Sequence, residues 1–289
     1  MNDEKNKVLG GVLYLVGTPI GNLSDISERA KKVLSEVDFV AAEDTRNSMK
    51  LLSVFGIHKE LLSYYEHNKK SSGEKIVSRL LSGESCALVT DAGMPAISDP
   101  GEDLVRLCAE NGITVSVVPG PSAVVSALAL SALSTVRFAF EGFLPVPKAE
   151  RRKRLEAIRR EERTMVFYEA PHKLKATLTD LVEYFGENRK ISLCRELTKL
   201  NEEAIRTTLG EAIKIYEEKE PRGEYVLVVE GAPEGYSASE EEDFTSLSPE
   251  DHVAKYEDEG LPRMDAIKRA AKDRGMSKSE LYKLLCKGD

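Results

Sequence analysis

Four apolar, strand-like runs, each broken off by glycine, proline or charge, constrain this chain more than any other feature. "GVLYLVG" (11–17) ends in "TPIGN", and "FVAAEDTR" (39–46) ends in a charged tip. "SCALVT" (85–90) runs into "TDAGMPAISDPG", and "ITVSVVPG" (113–120) runs into "PGPSA". Helical patterns lie between them. "LSDISERAKKVLSEVD" puts Ile26, Ala30, Val33, Leu34 and Val37 on one face, with Asp25 and Glu28 placed for an N-terminal box. "EDLVRLCAENG" separates the last two runs. Alternating strand and helix signals predict an α/β protein with a parallel, doubly wound sheet. Ligands of such sheets sit outside the carboxyl ends of the strands, which is where the glycines and prolines fall. Bare backbone there lets N–H and C=O groups approach a ligand unhindered. Four such ends on one sheet edge predict a shared pocket rather than four unrelated turns.

The common chemistries lack their parts. "GTPIGN" is neither a P-loop nor a dinucleotide fingerprint, and no G-x-S-x-G elbow is present. His58, His67, His172 and His252 are scattered and read as surface or hydrogen-bonded side chains, with no metal-ligand spacing. Cys86, Cys108, Cys194 and Cys286 lie far apart without a C-x-x-C pair, which predicts buried or incidental thiols in a reducing cytoplasm. The polar start "MNDEKNK" predicts no signal peptide, and no apolar run is long enough to span a membrane. A transferase whose ligand is held mostly by backbone remains open, and spacing alone does not name it.

The net charge of −8 argues against nucleic acid until its distribution is read. Residues 148–163, "KAERRKRLEAIRREER", hold eight Lys/Arg against four Glu. Residues 233–251 hold seven acids and no base, whereas 252–289 hold nine Lys/Arg against seven acids. An acidic, flexible linker thus separates two basic segments. Arg151, Arg152 and Arg154 are the candidates for RNA phosphate contact; a solvated helix face is the competing reading. The last segment predicts short helices. Ile267, Ala270 and Ala271 share one face, a break falls at Gly275, and a Ser277–Glu280 capping box leads into Leu281, Leu284 and Leu285. Helix, turn, helix is a nucleic-acid-binding pattern or a small appendage packed on the body.

Eight blocks in order carry a resemblance: "LYLVGTPIGNLSDI", "AAEDTR", "ALVTDAGMPAISDPG", "VVPGPSA", "FEGFLP", "FYEAPHKL", "CRELTK" and "GEYVLVVEG". From Leu13 to Gly231 the chain closely resembles the small-subunit ribosomal RNA methyltransferase I family of the tetrapyrrole methylase superfamily. Met94 and Ala96 depart from that family's usual Thr and Leu. The resemblance implies two α/β methylase domains (1–120 and 121–232); charge and helix pattern add the linker (233–251) and a small helix-turn-helix-like domain (252–289). It implies a smaller mixed sheet in the second half, built from "TMVFYEA", "KISLCREL", "EAIRTTL" and "EYVLVVE". S-adenosylmethionine is the implied cofactor, and 2′-O-methylation of a cytidine ribose in the decoding region of 16S ribosomal RNA the implied reaction. Asp91, Ala92, Gly93, Met94, Ile97, Ser122 and Ala123 would line the cofactor site, with Tyr168, Glu169, Gly223 and Glu224 closing it. A homodimer is implied as well.

A ribose hydroxyl attacks only when its proton is accepted by a positioned base. Glu43 and Asp44 of "AEDTR" are the candidates, with Arg46 to hold a phosphate or orient a carboxylate. A structural ion pair closing the sheet edge is the alternative. Asp99, Glu169 and Lys199 are further candidates. Two other functions stay open at this point: methylation of a corrin or porphyrin intermediate on the same fold, and a non-enzymatic ribosome-assembly factor that senses the cofactor.

Overall fold

The strand-like runs of the first half become β1 (Val12–Val16), β2 (Phe39–Ala42), β4 (Cys86–Val89) and β5 (Thr114–Val118), joined by the short β3 (Glu60–Ser63). The computed structural model of the chain describes residues 7–233, 247–258, 260–274 and 276–285. All five strands run parallel in the order β3-β2-β4-β1-β5. Helices α1 (Glu28–Glu36) and α2 (Thr45–Val54) cover one face, where Val33, Leu34 and Leu52 pack on Val12, Tyr14 and Val16. Helices α3 (Lys69–Leu81) and α4 (Gly101–Glu110) cover the other, where Ile76, Leu80 and Leu104 pack on Leu13, Phe39 and Leu88. Each such fully buried side chain contributes roughly 1.5–3 kcal/mol relative to exposure. The doubly wound arrangement follows directly: strands apolar on both sides need helices on both sides.

The predicted face of α1 is buried throughout, from Ile26 to Val37. Its start differs from the expected box at Asp25 and Glu28. Ser27 is the N-cap and accepts from Ala30 N at 3.1 Å, while Asp25 ends a separate 3-10 turn capped by Asn22. A hydroxyl two residues nearer the helix wins the cap.

The second half forms a mixed sheet in the order β6-β7-β10-β8-β9. Its strands are β6 (Phe138–Phe143), β7 (Thr164–Glu169), β8 (Lys190–Arg195), β9 (Glu203–Thr208) and β10 (Tyr225–Val229). Only the β6–β7 pair is parallel, and β6 bulges between Phe140 and Gly142. Helices α6 (Lys148–Ile158), α7 (Leu174–Phe185) and α8 (Leu209–Glu218) pack on one face. Helix α5 (Ala123–Leu130) packs on the other through Val124, Ala127 and Leu128, and Ile20 from the loop after β1 joins that cluster. Both sheets lie in one compact unit that ends at Gly231.

The remaining unit holds α9 (Pro249–Asp258), α10 (Arg263–Asp273) and α11 (Lys278–Leu285) around Val253, Ile267, Ala270, Ala271 and Leu281. The capping box is formed: Ser277 N donates to Glu280 Oε2 at 2.7 Å, and Glu280 N to Ser277 Oγ at 3.3 Å. Of the leucines that follow the box, Leu281 is buried and Leu284 is 44% exposed. The break at Gly275, Cys286 and most of the acidic linker lie outside the described residues.

Candidate active site

The strand ends of the first sheet are locked to one another through backbone. A Cβ on Gly17, after β1, would fall 2.7 Å from Gly120 Cα, after β5, so only glycine allows the two ends to meet. Thr18 N donates to Gly93 O at 2.9 Å and Gly93 N to Thr18 O at 3.1 Å, an isolated antiparallel bridge. The buried Thr18 hydroxyl donates to Thr90 O at 3.2 Å. Asp99 clamps the rest of the loop after β4. Its Oδ1 accepts from Ala96 N at 3.0 Å and Gly101 N at 2.7 Å, and its Oδ2 from Ile97 N at 3.2 Å. These bonds hold Gly93, Ala96 and Ser98 at positive φ, a conformation Ala and Ser rarely adopt unaided.

Above these ends lies a cavity of about 540 Å³, lined by both sheets. The first sheet contributes Glu43, Thr90 and the loop after β4, and α5 contributes Ser122 and Ala123. Ser122 is the N-cap of α5, yet its side chain makes no capping bond. The second sheet contributes Tyr168, packed edge-on against Phe140 at 5.0 Å and tilted on the exposed Phe143 at 5.5 Å. Burial raises the Tyr168 phenol above its ordinary pKa.

Glu43 stands at the end of β2 with its Oε2 accepting from Thr90 Oγ1 at 3.0 Å. The residue is exposed yet lines the cavity, and desolvation raises its pKa against the lowering bond from Thr90. Asp91, Asp99 and Asp44 push the same way. Asp44 is different. It caps α2, accepts from Arg46 N at 2.8 Å, and is held in a bidentate pair by Arg46 Nε at 3.0 Å and Nη2 at 2.7 Å. Those bonds bring its pKa down to about 2.

On the opposite side Lys199 Nζ bridges Glu196 Oε1 and Glu224 Oε2, both at 2.8 Å. Burial lowers the Lys199 pKa, but the two carboxylate bonds outweigh it and leave the amine above its ordinary value. Glu196, at φ 52, also accepts from Glu224 N at 3.0 Å. Glu169 is 4% exposed; Ala170 N donates to one oxygen at 2.8 Å and the Thr177 hydroxyl to the other.

Of the residues expected at the cofactor site, Ala92, Gly93, Met94, Ile97, Ser122, Ala123, Tyr168, Glu169 and Glu224 line this cavity. Asp91 lines a smaller neighbouring cleft, and Gly223 lines neither. Gly223 instead keeps the β10 approach clear, because a Cβ there would meet Glu196 Cγ at 2.5 Å. The Gly93 backbone, expected to face a ligand, is engaged with Thr18. Asp99 braces the loop, and Lys199 is an ion-pair bridge. His172 lines the cavity from the 3-10 turn Pro171–Lys173, a place its scattered sequence position did not signal. Thr90, Phe143 and Cys194 are likewise lining residues without a sequence signal of their own.

The three arginines of α6 are not alike. Arg151 turns inward, donating to Asp180 Oδ2 at 2.5 Å and Thr177 Oγ1 at 2.8 Å. Arg154 pairs with the buried Glu141 carboxylate, its Nε at 2.8 Å. Arg152 is exposed. Among the described residues no group of three or more His, Cys, Asp or Glu is placed to hold a metal ion, and no helix is long and apolar enough to cross a membrane.

The family described as Tetrapyrrole (Corrin/Porphyrin) Methylases matches residues 12–213. The ribosomal RNA small subunit methyltransferase I of Halalkalibacterium halodurans is 48% identical over 274 residues, 95% of this chain and 94% of that protein. The chain belongs to the ribosomal RNA small subunit methyltransferase I family of tetrapyrrole methylases. The Bacillus subtilis protein of the same name is 47% identical, covering 94% of this chain and 93% of its own length. Solved structures share the fold at low identity. A diphthine synthase aligns with a TM-score of 0.58 at 15% identity, over 76% of this chain and 90% of its own. A uroporphyrin-III C-methyltransferase from Thermus thermophilus, solved with S-adenosylhomocysteine, aligns with a TM-score of 0.53 at 18% identity, over 75% of this chain and 96% of its own.

Proposed function

We propose that this methyltransferase uses S-adenosylmethionine to methylate the 2′-hydroxyl of a cytidine ribose in the decoding region of 16S ribosomal RNA, as a cytoplasmic homodimer whose two methylase domains meet near residue 120. The observation that carries the reading is Glu43, a carboxylate at the cavity with a raised pKa and a fixing bond from Thr90.

The cavity fits the cofactor on three counts. Its volume of about 540 Å³ is in the range of small-molecule sites. Tyr168 and Phe143 offer an aromatic wall for a purine. Glu43, Asp99, Glu169 and Glu224 outnumber Lys199 and His172 around it, which favours a ligand bearing positive charge. Bound there, S-adenosylmethionine supplies a methyl group already activated on a sulfonium.

The chain's own residues then have two tasks. One is alignment: a rigid set of strand ends, tied by Gly17–Gly120, Thr18–Gly93 and Asp99, holds the reactants without rearrangement. The other is the hydroxyl proton, which the Glu43 carboxylate accepts as the oxygen attacks. Asp44, held ionised by Arg46, is a poor base and a good helix cap.

The test is incubation with methyl-labelled S-adenosylmethionine and either small ribosomal subunits or uroporphyrinogen. Label in RNA that survives alkaline hydrolysis as a protected dinucleotide supports ribose methylation. Label in the pigment, or cofactor binding without transfer to either, overturns the proposal.

A further inference from the structure

Beside the cofactor cavity a second cleft of about 190 Å³ opens between α2 and the loops after β1 and β4. Thr90 is the wall shared by the two, and its hydroxyl holds Glu43. An occupant of the cleft is therefore one residue away from the carboxylate assigned to the ribose proton. The cleft has about a third of the neighbouring cavity's volume.

Its lining divides into two kinds of surface. Pro19, Leu23 and Leu51 are apolar, and Leu23 is 48% exposed, an apolar side chain held at the mouth of the cleft. Asn47 and Asp91 are polar and joined: Asn47 Nδ2 donates to Asp91 Oδ2 at 3.2 Å. A carboxylate only accepts, so this bond fixes which way the Asn47 amide points. It leaves Asp91 Oδ1 open to a donor and the second Asn47 N–H open to an acceptor.

We infer that this cleft is a nucleobase subsite in which Asp91 and Asn47 select a pyrimidine bearing an exocyclic amino group. The inference rests on the cytidine-ribose reading and adds to it the side chains that read the base. Cytosine presents an amino donor beside a ring-nitrogen acceptor, the complement of Asp91 Oδ1 beside the Asn47 N–H. Uracil presents a carbonyl to the carboxylate and an N–H to the amide N–H, so both contacts become repulsive. Adenine carries the cytosine-like edge on a larger, two-ring body, so comparing C with A tests whether the cleft takes one ring or two. Single-stranded RNA is read in this way, with a base splayed out, its face against apolar groups and its edge hydrogen-bonded.

The experiment uses the full chain with small subunits reconstituted from unmodified 16S RNA carrying C, U or A at the methylated nucleotide. The parent should prefer C over U by roughly the 5–150-fold that one good bidentate contact supplies. Asp91→Asn replaces the acceptor by an amide and should collapse that preference, by losing rate on C while holding or gaining on U. Asn47→Ser should reduce the preference as well, and S-adenosylhomocysteine affinity should be unchanged in both. A C:U ratio in both variants equal to the parent's overturns the subsite while leaving ribose methylation standing. Loss of S-adenosylhomocysteine binding in Asp91→Asn also overturns it, by returning Asp91 to the cofactor site. A parent that labels none of the three RNAs overturns the ribose reading and the subsite together.

Discussion

Glu43 and Asp44 are chain neighbours whose carboxyls are driven in opposite directions. Desolvation at the cavity raises Glu43, while the Arg46 side chain and backbone bring Asp44 down to about 2. Environments that push two adjacent carboxyls apart assign them different work. Exchanging each for its amide separates the roles. Glu43→Gln should keep cofactor affinity and slow single-turnover methylation by about 10²–10⁴-fold. Asp44→Asn should lower the melting temperature with a near-parental chemical step. Equal single-turnover rates for Glu43→Gln and the parent would remove Glu43 from the reaction.

The same shift has a pH signature with a definite sign. A raised folded-state pKa means the folded chain binds the Glu43 proton more tightly than the unfolded chain does. Its contribution to stability is full below the unfolded pKa and is lost as pH rises through the folded one. Glu43→Gln should therefore melt higher than the parent at neutral pH, and the gain should vanish in acid. Activity runs the other way, rising with pH as the carboxylate forms, with its acid limb above the ordinary glutamate range. Thr90→Val removes the bond that opposes desolvation, so it should move that limb further upward. An unmoved limb in Thr90→Val would detach the profile from Glu43.

Backbone contact between strand ends predicts an unusually costly methyl. Gly17→Ala and Gly120→Ala both drive a Cβ within 3.0 Å of opposing backbone, where no side chain can yield. Gly56→Ala provides the comparison, since Gly56 has φ +67 but nothing within 4 Å of its Cβ position. Thermal melts should show a modest loss for Gly56→Ala, from strain alone. The other two should lose far more, or fail to yield folded chain. Similar melts for all three would mean the strand ends have room to part.

On α6, exposure rather than sequence position should decide which arginines matter for RNA. Arg152→Glu combined with Lys153→Glu, both exposed, should weaken subunit binding and flatten its salt dependence without changing the melt. Arg151→Ala should instead destabilise the chain, because it strips Thr177 and Asp180 of a partner. Filter binding across a salt series, with melts in parallel, distinguishes the two. Salt slopes identical to the parent for the double reversal would make α6 a merely solvated face.

What could be read from sequence was local. The buried face of α1 and the Ser277–Glu280 box depend on residues a few positions apart, and both are formed as expected. The strand ends announced themselves because glycine and proline cluster where strands stop. What escaped depends on partners far along the chain. Arg151 is turned inward by residues 26 and 29 positions later, and the exposed Arg154 is tied down by a buried carboxylate 13 positions earlier. Gly223 looked like a ligand-facing glycine, yet its bareness makes room for Glu196 across the sheet. His172 reaches the cavity through a 3-10 turn that no periodicity marks. β3, with four residues and one of them buried, is too short to show an alternation.

Asp99 fixes the loop after β4 from one end, grasping the backbone of Ala96, Ile97 and Gly101 and nothing of the side chains between. The clamp itself thus uses no side chain at positions 94, 96 and 97, within the limits of φ at Ala96. Those three positions form a panel that can be repainted without moving the frame. An engineer seeking a transferase for bulkier alkyl donors would randomise Met94 and Ile97, which line the cavity, and leave Asp99 and Gly101 untouched.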